Sequence, residues 1–170
     1  MLVQRFLAPL VGATLAVTLI AAAPAAMSKG HNVLDFATMA PVTGPFVGSA
    51  NPIRGINGGG LPWQLDDARG ELSSSGHLEV TVNGLVLLNG DPVPVQLRGT
   101  NPAANFVGIV SCQTTVDGAP AVANVATGPF PATSTGDSQI EANVTLPSPC
   151  FAPIVFVGPS AATWFAVTGQ

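Results

Sequence analysis

Ser73-Ser74-Ser75-Gly76-His77-Leu78-Glu79-Val80-Thr81-Val82-Asn83-Gly84-Leu85-Val86-Leu87-Leu88 is the stretch on which the fold is decided. Leu78, Val80 and Val82 alternate with Glu79, Thr81 and Asn83, the period of a strand with one face buried and one face wet. From Leu85 the run becomes continuously apolar, as in a strand covered on both faces. A strand cannot satisfy its own backbone, so partners are required on both sides. Upstream, Leu61 to Leu72 reads as a strand bent at Pro62, and a hairpin across the serine turn follows. If Leu72 faces Gly76, Arg69 faces Glu79 and Glu71 faces His77. A slip of one pair on each side would set Glu71 beside Glu79. Cross-strand charge, worth about 0.2–1 kcal/mol, favours the first register. Its weak point is Gly76, a residue suited to a left-handed place inside the turn.

Downstream, Asn89 to Pro92 is a turn and Val93 to Arg98 a short strand, with Pro92 and Pro94 restricting it to an edge. Phe106–Thr115 and Ala121–Ala126 form a second hairpin around Asp117-Gly118, a strong two-residue turn signal. Centred there, the pairing sets Val110 opposite Val125 and Cys112 opposite Ala123. Thr127 to Gly136 is loop. Ser138 to Leu146, Phe151 to Val157 and Thr163 to Thr168 complete the set. About seven to nine short strands without an amphipathic helix predict an all-β fold, a single antiparallel β-sandwich or barrel of Greek-key, immunoglobulin-like type. No Trp lies between the cysteines, so a true immunoglobulin domain is not expected.

Met1 to about Ala25 reads as an export signal. Arg5 supplies the basic start, Phe6 to Ala23 the apolar run and Ala23-Pro24-Ala25 the small-residue exit. A membrane anchor is the competing reading, because the run nearly spans a bilayer; the N-terminal position and the exit favour cleavage. No Cys follows the run to take a lipid, and Thr163 to Gln170 is no anchoring tail. The expected organisation is a signal peptide at 1–25, an extended arm and Gly-rich loop at 26–60, and a β-sandwich domain at 61–170. The product is expected to be secreted, without a membrane anchor after cleavage. Cys112 and Cys150 are the two cysteines, and in an exported chain such a pair reads as a disulfide.

The formal net charge is −4, and losing Arg5 leaves four basic residues against nine acidic ones. Nothing in that balance grips a polyphosphate, so nucleic acid is excluded as a partner class. Charged residues make up 8% of the chain, against roughly 25% in an ordinary soluble domain. So weakly charged a surface repels itself little and leaves room for self-association.

The chemistry-bearing residues are few. His31 and His77 are two histidines where a copper or zinc site usually collects more His or Cys ligands. Ser74 and Ser75 sit in a turn, and no Gly-x-Ser-x-Gly elbow is present. Asp66-Asp67 with Glu71 is an acidic cluster, but adjacent strand residues point to opposite faces. The Gly58-Gly59-Gly60 run lacks the Lys-Ser/Thr of a phosphate cradle. Asn143-Val144-Thr145 fits a glycosylation sequon. Trp63, Trp164 and Phe130 are the candidates for a ligand platform. A Trp in a strand is by default core, which leaves Phe130, between Pro129 and Pro131, as the one expected at the surface.

Gly59-Gly60-Leu61-Pro62-Trp63 with Ala68-Arg69-Gly70-Glu71-Leu72, and Leu146-Pro147-Ser148-Pro149-Cys150-Phe151-Ala152-Pro153-Ile154-Val155, resemble passages of small exported bacterial proteins that carry no assigned activity. That resemblance implies no functional residues. Gly76 to Leu85 also resembles the rhythm of the CHRD domain. The His-containing loop which that likeness implies is missing, since Val86 to Arg98 holds no His.

These observations give the expectation of a secreted, non-catalytic β-sandwich protein with a structural or interaction role at the cell surface or in the extracellular matrix. It needs no cofactor and no metal, and its partner is an extracellular protein or a glycan. The alternative is a carbohydrate- or small-ligand-binding module using Trp63, Trp164 and Phe130. A hydrolase or metalloenzyme stands last. It would require a cleft uniting Asp66 or Asp67 with His77 and Glu71.

Overall fold

A computed structural model describes residues 30–168; the expected signal peptide lies outside the described residues. Along the chain run β1 (Asn32–Phe36), β2 (Met39–Pro41), β3 (Asn57–Gly58), β4 (Trp63–Gln64), β5 (Asp67–Ser73), β6 (His77–Asn83) and β7 (Val86–Leu87). Then come β8 (Asn105–Val116), β9 (Ala119–Ala126), β10 (Phe130–Pro131), β11 (Ser138–Asn143), β12 (Phe151–Gly158), β13 (Thr163–Trp164) and β14 (Ala166–Thr168). The protein is an all-β sandwich. One sheet has the order β1-β5-β6-β11; the other has β10-β8-β12-β14-β2, with β9 added to the same β8. Two short pairs, parallel β3–β13 and antiparallel β4–β7, accompany them. The segment read as an arm supplies edge strands to both sheets, β1 to the first and β2 to the second.

The sandwich interior joins Leu72, Leu78, Val80, Val82 and Ile140 of the first sheet to Val110, Val155 and Val157 of the second, all buried. Gly108 lets the layers meet, because a Cβ there would lie 2.9 Å from Leu78 Cδ2. The opposite face of the second sheet is also covered. Ile109 and Phe156 are buried there, and the Phe156 ring lies 6.0 Å from Trp164, which lies 6.5 Å from Phe46.

The Asp117-Gly118 hairpin has the predicted register, Val110 opposite Val125 and Cys112 opposite Ala123. The serine-turn hairpin does not. Leu72 pairs with Leu78, Glu71 with Glu79, and Arg69 with Thr81. Turn chemistry decides it. Gly76 has φ +88° and donates its N–H to the Ser73 carbonyl at 3.0 Å, closing a three-residue loop with a left-handed glycine at its end. The Ser73 hydroxyl accepts the His77 N–H at 3.0 Å. A charge preference below about 1 kcal/mol cannot move a glycine out of that place.

Val93 to Arg98 is a turn rather than the expected strand. Its centre, Val95–Leu97, is one 3-10 turn. Pro92 and Pro94 bring no ladder donors, and Leu97 N–H instead reaches the Pro94 carbonyl at 2.9 Å.

Candidate functional site

The corrected register gathers acids on the outer face of the first sheet. Asp35 stands opposite Glu71, Glu71 opposite Glu79, and Glu79 opposite Glu141, a row across all four strands. At one end Asn32 Nδ2 donates to Asp35 Oδ1 at 2.7 Å and to Glu71 Oε2 at 2.9 Å. At the other end His77, two residues before Glu79, faces Asn143, two residues after Glu141. His77 Nε2 lies 2.7 Å from Glu79 Oε1 and 3.9 Å from Glu141 Oε1; Nδ1 lies 3.3 Å from Asn143 Oδ1. The His77 side chain is 13% exposed and that of Glu141 72%, so a largely buried imidazole meets an exposed carboxylate. An open hollow of about 520 Å³, lined in part by Asp35, Glu71, Glu79 and Arg69, adjoins the row.

A second polar knot anchors this sheet where β11 begins. Thr135 Oγ1 donates to Asp137 Oδ2 at 2.7 Å, Gly84 N–H to Oδ1 at 3.0 Å and Thr133 Oγ1 to Oδ2 at 3.1 Å. The Thr135 hydroxyl and the Gly84 amide, with a smaller share from Thr133, hold the Asp137 carboxyl below the ordinary aspartate value of 3.8, against a desolvation that raises it.

The second sheet carries a different surface. Val122 on β9 and Phe151 on β12 both stand opposite Gln113 of β8; they are 49% and 60% exposed. With Thr115, Pro120 and Ala121 they line an open groove of about 550 Å³. The Cys112–Cys150 disulfide fixes the start of β12 to β8 beside this groove. Arg54 braces the same place. Its Nη1 donates to the Ser111 carbonyl at 2.7 Å and its Nη2 to the Ala152 carbonyl at 2.8 Å, while burial lowers its pKa. Among the described residues β9 pairs on one side alone, and its sequence, Ala119-Pro120-Ala121-Val122-Ala123-Asn124-Val125-Ala126, holds no charge.

The remaining sequence candidates are dispersed. Trp63 stacks on Phe165 at 3.7 Å with planes 17° apart, and Trp164 sits among Phe46 and Phe156; both tryptophans are buried. Phe130 is half-buried and packs on the core. These rings form no common face. Asp67 binds Arg69 at 3.1 Å, and Asp66 fills the space above Gly84, whose Cβ would lie 2.3 Å from its Oδ2. His31 is exposed, its Nδ1 3.3 Å from the Ser74 hydroxyl.

No family model, curated protein or solved structure matches the chain. The grouping of His77, Glu79 and Glu141 was missed in sequence because it joins strands about sixty residues apart. The signal available was the pair of i, i+2 polar sets, His77-x-Glu79 and Glu141-x-Asn143, each on the wet face of an alternating strand.

Proposed function

We infer that this is a non-catalytic structural or interaction protein of the cell surface or extracellular matrix, docking an extended polypeptide along β9. The single observation that carries the reading is the uncharged, one-sided edge of β9 beside the exposed apolar pair Val122 and Phe151, which flank Gln113. Sheet edges expose unpaired N–H and C=O groups that accept another strand. Proteins with no use for such an edge guard it with charges, bulges or a cover. Here Pro120 is the guard within the strand. Backbone pairing would supply affinity, and the row across β9, β8 and β12 would select side chains. The disulfide supports an oxidising, non-cytoplasmic compartment, and no helix among the described residues is long and apolar enough to cross a membrane. A polypeptide partner suits the site better than a glycan, because the tryptophan faces a sugar would stack on are buried.

The reading is tested by retention of the protein on cell-surface fractions and by recovery from the medium. Val122→Lys and Phe151→Ser alter exposed positions and are expected to keep the fold while lowering retention at least tenfold. Equal retention of wild type and both variants, or a cytosolic location, overturns it. Concentration-dependent dimers of the wild type that Val122→Lys abolishes would identify the docked strand as a second copy.

A further inference from the structure

The geometry points to a divalent metal site on the outer face of the first sheet, with His77 Nε2, Glu79 and Glu141 as ligands and a first-row transition ion such as zinc as the occupant. The ligand atoms of the three residues lie within 4.8 Å of one another. Around a tetrahedral ion with bonds of about 2.1 Å, neighbouring donors stand roughly 3.4 Å apart. His77 Nε2 is 2.7 Å from one carboxylate oxygen and 3.9 Å from the other. The two spacings that involve Nε2 lie within an ångström of the ideal one, and the Glu79 and Glu141 side chains, 40% and 72% exposed, would each shift to admit the ion. Water would complete the coordination from the open side.

The imidazole adds a nitrogen ligand that a plain acidic cluster lacks. Both of its nitrogens face oxygen acceptors, Asn143 Oδ1 at Nδ1 and Glu79 Oε1 at Nε2. Neutral imidazole has one N–H. With the proton on Nε2 the ring donates to Glu79; with the proton on Nδ1 it donates to Asn143 and turns its Nε2 lone pair towards the carboxylates, the tautomer in which an ion would bind. Metal-binding histidines are commonly held this way, with the second nitrogen donating to a carbonyl or carboxylate that fixes the tautomer. Asn143 is therefore a positioning residue.

The backbone places the four residues as a rectangle. His77 and Glu79 are i, i+2 on β6, and Asn143 and Glu141 stand directly opposite on β11. The row continues through Glu71 to Asp35. Like charges set directly opposite one another weaken a sheet, and an ion between Glu79 and Glu141 would reverse the sign of that pair's contribution. The nitrogen ligand separates this site from a calcium site, which takes oxygen ligands throughout. An ion here would clip β11, the last strand of the first sheet, to β6.

Untagged protein titrated with zinc chloride against a chromophoric chelator is expected to bind one equivalent saturably. His77→Gln should weaken that binding at least tenfold and Glu141→Gln about tenfold. Asn143→Ala should weaken it through loss of ring positioning, and His31→Gln should leave it within twofold of wild type. A readout free of any variant is the 15N spectrum of the histidine rings, where zinc should shift His77 Nε2 and leave His31 unmoved. The inference is overturned if the folded wild type shows no saturable zinc binding. A loss equal for His31→Gln and His77→Gln overturns it too, as does a His77 ring signal that does not respond to the ion.

Discussion

The two sheets present opposite surfaces and hold their edges by different physics. On the first sheet β11 closes the edge with a polar outer face, where Glu141 stands beside His77 and Asn143, and Asp137 ties the strand's start to Gly84 through hydrogen bonds. On the second, β9 forms an uncharged edge carrying the exposed Val122, and a disulfide and Arg54, donating to main-chain carbonyls, brace the neighbouring β8–β12 junction. One surface is acidic, the other uncharged and in part apolar. A chain with so little charge overall has placed four of its nine acids in one row. Reductant and acid should therefore loosen different ends of the molecule.

The largest expected effect comes from the disulfide. Replacing Cys112 and Cys150 together by Ala should cost about 4 kcal/mol in denaturant titration. Amides that exchange through global unfolding should lose protection alike, and any further, local loss should fall at the start of β12 and the part of β8 it faces. A further loss that falls on the first sheet instead would remove the distinction between them.

Arg54→Met comes next. It deletes two charge-assisted bonds, to Ser111 and Ala152, and should cost about 2 kcal/mol. Its effect should be smaller in the disulfide-free protein if the two braces act on the same junction. Strict additivity would show that they do not.

The smallest effect tests the polar side. The Asp137 carboxyl titrates below 3.8 in the folded chain. Its contribution is therefore complete above the unfolded value and is lost as pH falls through the lowered folded one. Asp137→Ala should cost about 1 kcal/mol at neutral pH and should flatten the fall in stability below about pH 4. An unchanged acid limb would mean that other carboxyls carry it. The disulfide variant should keep the wild-type acid limb, because its bond involves no titrating group.

The two hairpins mark how far a sequence can be read. At Asp117-Gly118 the two turn residues have φ +52° and +79°. A two-residue turn that needs both positive angles leaves one register, so the pairing of β8 with β9 was legible. In Ser73 to Gly76 the glycine could stand in the strand or in the turn, and cross-strand charge was too weak a guide to choose. The disulfide could be inferred from the count of cysteines. The His77–Asn143 contact could not, because alternation identifies the wet face of β6 and of β11 but does not say that the two strands are neighbours. The tryptophans followed the default for strand aromatics, and Phe130 departed from its loop surroundings because its segment pairs with the start of β8.

Cys112 and Cys150 are 38 residues apart in sequence, and the ring of chain they close contains β9, β10 and β11. A protease that cuts once anywhere inside this ring leaves two fragments still covalently joined, with the edges of both sheets on the same particle. Such nicking would then go unseen on a non-reducing gel and emerge as two bands when thiol is added.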